Sequence, residues 1–255
     1  MEVQHRPRVG LFVTCLVDLF RPSIGWAAVK LLEDAGCSVE VPPQTCCGQP
    51  AYNSGDRALA KDLARAVIEA FAPYDYVIAP SGSCAGMLAK HYPALFEDDA
   101  LTAKAQAFAS KVYELSDFLV TVLKVTAVEA EFPHRVTYHD ACSGLRELGI
   151  ADQPRQLLSS VRGLDLVEMD DQTRCCGFGG TFAVKYGEVS AAIVDEKADQ
   201  AEKSGAPVLL AGDLGCLMNI AGRLSRRGSR VEVRHFAEVL AGMTDSPAIC
   251  AARKR

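Results

Sequence analysis

A vicinal cysteine pair followed by glycine occurs twice in this chain, as QTCCGQP over residues 44–50 and as TRCCGFG over residues 173–179. Cys46 and Cys175 stand 129 residues apart, Cys15 and Cys142 are 127 apart, and Cys84 and Cys216 are 132 apart. Spacing that recurs at three points marks an internal duplication with a period near half of the 255 residues.

Each half follows one order of elements. In the first, an apolar strand over 10–14 runs into Cys15. A helix over 25–35, a short strand over 38–41 and the CCG motif follow. Then come a long helix over 57–71, an apolar strand over 76–79 and the turn PSGSCAG. In the second, the matching segments are 135–138, 154–160, 164–168, CCG, 186–203, 207–211 and GDLGCLM. In the long helix of the first half, Leu59, Leu63, Ala66, Val67 and Ala70 recur at spacings of three and four. Strands alternating with helices predict an α/β fold, here two tandem repeated Rossmann-like domains with mainly parallel sheets and helix-covered faces. The boundary falls in KVTAVEAEFPH, giving domains 1–130 and 131–255, and residues 97–125 read as helical and bridging the halves. Loops at the C-terminal ends of parallel strands are where sites form, so the three cysteine positions of each half are expected to converge at one sheet edge.

The chain has ten cysteines. Disulfide scaffolds are denser and much shorter. In a long, helix-rich chain without an export signal, cysteines point to metal binding or redox chemistry. Each half supplies four thiols from three loops: Cys15, Cys46, Cys47 and Cys84, then Cys142, Cys175, Cys176 and Cys216. Four thiolates suit a tetrahedral zinc or a four-iron cluster. Consecutive side chains diverge, so an adjacent pair does not easily ligate one small ion, whereas a cluster presents several irons. This favours iron–sulfur over zinc. The glycine after each pair lets the backbone approach a cluster and donate N–H groups to sulfide. The longer run GFGG at 177–180 extends that logic or serves only as a turn. Cys37 and Cys250 lie off the repeat and read as a core cysteine and a tail cysteine.

Composition narrows the function classes. Hydrophobic residues make up 49% and charged residues 23%, with a net charge of −5. The only basic clusters are Arg226-Arg227 and the tail Arg253-Lys254-Arg255, which read as solvated, so nucleic acid is not the expected partner. No segment approaches the ~18 to 20 apolar residues that span a bilayer. His5, Arg6 and Arg8 precede an apolar run at 9–13, but Asp18 and Arg21 interrupt it and no small-residue cleavage site follows. That run is expected to be the first buried strand of a cytoplasmic protein. No GxGxxG follows a strand and no P-loop is present, so a nicotinamide or nucleotide would be bound by partners.

The pattern of a lone cysteine, about 30 residues, CCG, about 35 residues and a further cysteine, present twice, resembles the CCG cysteine-rich domain. That domain occurs in heterodisulfide reductase, in the iron–sulfur component of glycolate oxidase and in lactate utilization protein A. The stretches CCGFGGTFAVKYGEVS and DLGCLMNI, and a length of two CCG domains and nothing else, are most similar to the lactate utilization protein A family. The resemblance covers nearly the whole chain. It implies an iron–sulfur redox subunit of a cytoplasmic multi-protein complex that oxidises L-lactate to pyruvate and relays electrons. Such an oxidoreductase subunit acts only with its partners, lactate utilization proteins B and C. The implied cofactor is one or two iron–sulfur clusters of 4Fe-4S type, ligated by the eight repeated cysteines, with zinc open for one site. A thiol/disulfide reductase subunit of the heterodisulfide reductase type and a zinc-stabilised interaction module are the alternatives.

The family's fullest pattern ends in Cys-x-x-Cys. Here the first of those positions is Ser81 in one half and Asp213 in the other. The five-thiolate set of non-cubane clusters is therefore absent, and four thiolates remain per half. Asp213 is either an oxygen ligand or the cap of the following helix. His139, in YHDAC, is a ligand, a proton shuttle near a redox centre or a structural histidine. Asp18 and Arg174 either tune a cluster through charge or sit at the surface.

Overall fold

The computed structural model describes residues 6–97 and 100–251, and the chain divides into two compact units, Met1–Val125 and Thr126–Arg255. In the first, β1 (Arg8–Leu11) leads into α1 (Cys15–Phe20), α2 (Pro22–Asp34) and β2 (Ser38–Glu40). Next come α3 (Gln49–Asn53), α4 (Arg57–Ala70), β3 (Tyr76–Ala79), α5 (Gly82–Gly86), a π-helical turn at Met87–His91 and α6 (Tyr92–Leu95). The unit ends with α7 (Thr102–Ala109), β4 (Val112–Glu114), α8 (Leu115–Asp117) and a π-helical turn at Phe118–Val122. The second unit runs β5 (Arg135–His139), α9 (Cys142–Leu148), α10 (Asp152–Ser159), β6 (Asp165–Leu166), α11 (Phe182–Lys185) and α12 (Gly187–Lys203). It finishes with β7 (Val208–Ala211), α13 (Leu214–Arg226), β8 (Glu232–His235) and α14 (Phe236–Leu240).

Among the described residues, each unit holds one four-stranded sheet, ordered β2-β1-β3-β4 and β6-β5-β7-β8. Every pairing is parallel: Val9 lies opposite Val39 and Tyr76, and Val136 lies opposite Leu166 and Val208. The expected α/β architecture with parallel sheets is therefore present in both halves. Helices on both faces explain why β7 is buried at every residue. Leu11, Phe12, Leu32, Phe71 and Ile78 fill the first core, and Leu209, Leu217, Ile220 and Phe236 fill the second.

The order of strands decides where a site forms. From β1 the chain crosses to β2 on one side, then returns past β1 to β3 on the other. The direction reverses between β1 and β3, and again between β5 and β7. Ligands bind at such a reversal, outside the carboxyl ends of the strands. The cysteine-bearing loops follow these same strands.

The fourth strands were not expected from the sequence. Residues 97–125, read as one helical bridge, contain β4, which pairs with β3 and belongs to the first unit. β8 extends the second sheet in the same way. The first strand also stops at Leu11 rather than residue 14, because Thr14 takes a φ of 51° and turns the chain into α1. In α4 the buried stripe is Ala60, Ala64, Val67 and Ile68, one step round from the expected face, and Leu59 is half exposed. Arg227 is tied to Asp199 and Glu202 of α12 rather than merely solvated. His5 and the tail Arg253-Lys254-Arg255 lie outside the described residues. Among the described residues, no helix is long and apolar enough to cross a membrane.

Glu114, at the end of β4, carries a pH signature. Its carboxylate accepts from the backbone N–H groups of Ser116 and Asp117 and caps α8. Burial nevertheless pushes its pKa up to about 7. The fold thus favours the protonated acid: the stabilisation is complete below about pH 4.5 and is lost as pH rises through about 7. The linkage is worth about 3 kcal/mol. The first unit should weaken by that amount between pH 4.5 and 8, and Glu114→Gln should flatten the dependence. Denaturant unfolding followed by the fluorescence of Trp26, the sole tryptophan and part of α2, reads it directly.

Candidate metal centres

All eight repeated cysteines lie at the carboxyl edges of the two sheets. Cys15 opens α1, Cys84 lies in the first turn of α5, Cys142 opens α9 and Cys216 lies in the first turn of α13. The vicinal pairs follow β2 and β6. Cys37 precedes β2, at the opposite edge of the sheet, and is buried.

In the first unit the thiols form a connected row. The Cys15 Sγ lies 3.9 Å from the Cys46 Sγ. Cys46 also contacts Cys47, and Cys47 contacts Cys84. Hydrogen bonds from the Cys15 and Cys47 thiols, with the Gly48 N–H, push the Cys46 pKa down to about 2. The same bonds and burial push Cys15 and Cys47 up. One thiolate is thus shared among neighbours that retain their protons.

The second unit repeats the pattern. Cys142 and Cys176 donate to Cys175, whose pKa falls to about 2, and Cys176 also contacts Cys216. The Gly177 N–H donates to the Cys175 Sγ at 3.3 Å. A second donor set enters here: a ring nitrogen of His139 and the Sγ atoms of Cys176 and Cys216 all lie within 4.8 Å of one another. His139 is 1% exposed, and among the described residues neither of its ring nitrogens makes a well-formed hydrogen bond, although the Gln172 backbone lies near one of them. Burial, reinforced by the Lys197 ammonium, pushes its pKa down to about 3, so the ring is neutral.

Ser81 and Asp213, at the positions where the fullest pattern has cysteine, serve as helix caps. The Ser81 hydroxyl accepts from the Cys84 N–H, and the Asp213 carboxylate accepts from Gly215 and Cys216. Arg174 pairs with Asp171 and Glu196 at the surface. Asp18 is exposed and lines a cleft of about 390 Å³ with Cys15, Cys46 and Gln44.

The supporting residues are the ones that sequence reasoning missed. Gln44 accepts from the Val13 N–H and donates to the Leu11 carbonyl, pinning the first pair's loop to the exit of β1. The Tyr92 hydroxyl donates to the Cys47 carbonyl, and the Asn219 amide donates to the Cys176 carbonyl. The two units thus fix the same backbone atom with different side chains. The fully buried Lys197 donates to the carbonyls of Asp171 and Gln172, just ahead of the second pair. Arg155 grips Asp140, two residues before Cys142, with both terminal nitrogens at 2.9 Å. Each is a single polar residue whose partner only the fold brings near.

Glycine after each pair is a backbone requirement. Gly48 has a φ of 84° and Gly177 a φ of 77°. A Cβ on Gly48 would meet nothing closer than 3.6 Å, whereas one on Gly177 would lie 2.7 Å from the Ser190 carbonyl oxygen. Gly48→Ala should therefore cost about 1 kcal/mol, the left-handed penalty alone. Gly177→Ala adds a backbone overlap and should cost about 3 kcal/mol. Thermal unfolding of the two variants checks the difference.

The model of the CCG cysteine-rich domain family matches residues 9–89 and 136–221, spanning all eight of these cysteines. The chain is 52% identical over 235 residues to lactate utilization protein A of Geobacillus kaustophilus, covering 91% of this chain and 98% of that one. It belongs to that family. The Bacillus subtilis member is 50% identical over 235 residues, with the same coverage. A crystal structure of a hypothetical protein from Helicobacter pylori matches with a TM-score of 0.64 at 12% identity. That match covers 94% of this chain and 49% of the other, and it shows a shared fold alone. The family resemblance expected from the motifs is thus confirmed. The donor chemistry also fits a metal or cluster: thiols in mutual contact, and a buried imidazole without a partner.

Proposed function

We propose that this chain is an iron–sulfur redox subunit in lactate utilization, relaying electrons as L-lactate is oxidised to pyruvate. The observation that carries the reading is the row of four touching thiols at the switch point of each sheet. A solitary zinc needs its ligands spread around one point, whereas a contiguous row with a vicinal pair suits several metal atoms. When bound, an iron–sulfur cluster supplies one-electron exchange.

The chain's own residues do the rest. Hydrogen bonds from the neighbouring thiols favour the thiolate form of Cys46 and Cys175, so each site offers an anionic ligand. The N–H groups of Gly48 and Gly177 point at those sulfurs, and hydrogen bonds to ligand sulfur tune a cluster's potential. Burial of Cys47, Cys84, Cys176 and Cys216 keeps water from that side of each site.

Oxidation of a 2-hydroxyacid releases two electrons and two protons. Neither a nicotinamide fingerprint nor a P-loop occurs in the sequence. The substrate-oxidising and electron-accepting steps accordingly fall to partners, the lactate utilization proteins B and C, in a cytoplasmic complex. The names of the relatives support lactate as the substrate.

Iron, acid-labile sulfide and zinc per chain, measured on protein purified without oxygen, test the reading. About four or eight irons with matching sulfide would support one or two four-iron clusters. Zinc without sulfide, persisting after attempted reconstitution, would replace the redox subunit with a zinc-stabilised module.

A further inference from the structure

We propose that His139 is a metal ligand, and that the two centres are therefore chemically unlike. The second takes a nitrogen–sulfur donor set from His139, Cys176 and Cys216, while the first is held by thiolates alone. This rests on the reading that the thiols bind metal.

Phe12 stands three residues before Cys15, as His139 stands three residues before Cys142. Both side chains are buried at the carboxyl end of the central strand, at 0% and 1% exposure. The fold therefore asks only for a flat buried ring here, and phenylalanine meets that need in the first unit. An imidazole brings two polar atoms that packing does not require. Burying such groups without partners carries a desolvation penalty that packing alone does not offset. The Gln172 backbone lies near enough to take one ring N–H, but neither nitrogen makes a well-formed hydrogen bond, so at least one is left bare. A core histidine kept for packing would not leave a buried ring nitrogen bare.

The surroundings supply the rest of a ligand site. The nitrogen and the two sulfurs lie within 4.8 Å of one another, a triangle that one metal atom can fill. The backbone of Gln172 faces the ring. A ligating histidine commonly turns its other N–H to such a carbonyl. The Asp213 carboxylate is engaged at the start of α13, so the additional donor in this unit is the imidazole. A neutral imidazole with two thiolates suits a borderline-soft metal, either an iron of a cluster or zinc.

The test isolates the second centre with Cys47→Ser and reconstitutes that protein anaerobically with ferrous iron and sulfide, or separately with zinc. Metal content identifies which one is retained, and X-ray absorption at that metal's edge reads its ligands. A nitrogen shell at about 2.0–2.1 Å beside sulfur at about 2.3 Å is expected. In Cys47→Ser/His139→Phe, which copies the first unit's ring, the nitrogen shell should vanish. Because that variant can fail to fold, protein with its own His139, grown with ¹⁵N-histidine, provides a second reading. Reduced iron protein should show a nitrogen coupling by pulsed electron paramagnetic resonance that changes with the isotope. An all-sulfur shell around bound metal, with no isotope-sensitive coupling, would overturn the ligand assignment and leave the thiol sites standing. Absence of any metal from the second unit would overturn both.

Discussion

Serine in place of Cys47 or Cys176 is expected to abolish one centre in each case, leaving about half of the bound iron and sulfide. The second cysteine of each pair is the middle of its row. Cys47 contacts both Cys46 and Cys84, and Cys176 contacts both Cys175 and Cys216. Removing it divides the donor set into a pair and a single thiol. Both positions are buried, so water does not readily take the vacated place. The double variant should hold almost none. Cys37→Ser should retain the full complement, because Cys37 lies before β2 and away from the carboxyl edge. Iron and sulfide assays on the four proteins decide this. If Cys37→Ser loses as much iron as Cys47→Ser, the alignment of the two halves that assigns the ligands is wrong.

The parts of the molecule legible in the sequence are those written twice. One CCG motif has several readings, whereas two of them, each with an upstream and a downstream cysteine at matching distances, specify a duplicated unit and its donor set. Strands such as Tyr76–Ala79 announce themselves by buried apolar runs between helical stretches. β4 does not. It is three residues long, follows the helix-forming stretch TAKAQAFA, and exists because its backbone pairs with β3. Tertiary pairing overrides local propensity there. β8, EVRH, is hidden in the same way by its charged residues. The cap roles of Ser81 and Asp213 follow from a residue at a helix start, and the sequence left a cap and a ligand open for Asp213. His139 was visible as a candidate, but its weight comes from burial without partners, which no sequence pattern reports. Gln44, Lys197, Asn219 and Arg155 left no signal at all.

Arg155 shows what such silent residues do. Besides Asp140, its guanidinium holds Glu168 at 2.7 Å and lies over the Tyr138 ring. The Asp140 side chain is 5% exposed, so its carboxylate is largely cut off from water and leans on this bidentate pair. The Asp140 pair and then Glu168 hold the guanidinium firmly in its charged form. Arg155→Met keeps most of the stem's packing but strands a buried charge, and should destabilise the second unit by about 3–5 kcal/mol. Arg155→Lys should fall between, since a point charge cannot grip two carboxylates at once. Adding Asp140→Asn to Arg155→Met should restore part of the loss, because the unpaired charge is then gone. The effect should appear as an earlier transition in circular dichroism. Asp140 sits between His139 and Cys142, so the same variant should also loosen metal in the second centre alone. If Arg155→Met unfolds no more easily than the unchanged protein, the bidentate pair is not what holds the Cys142 loop in place.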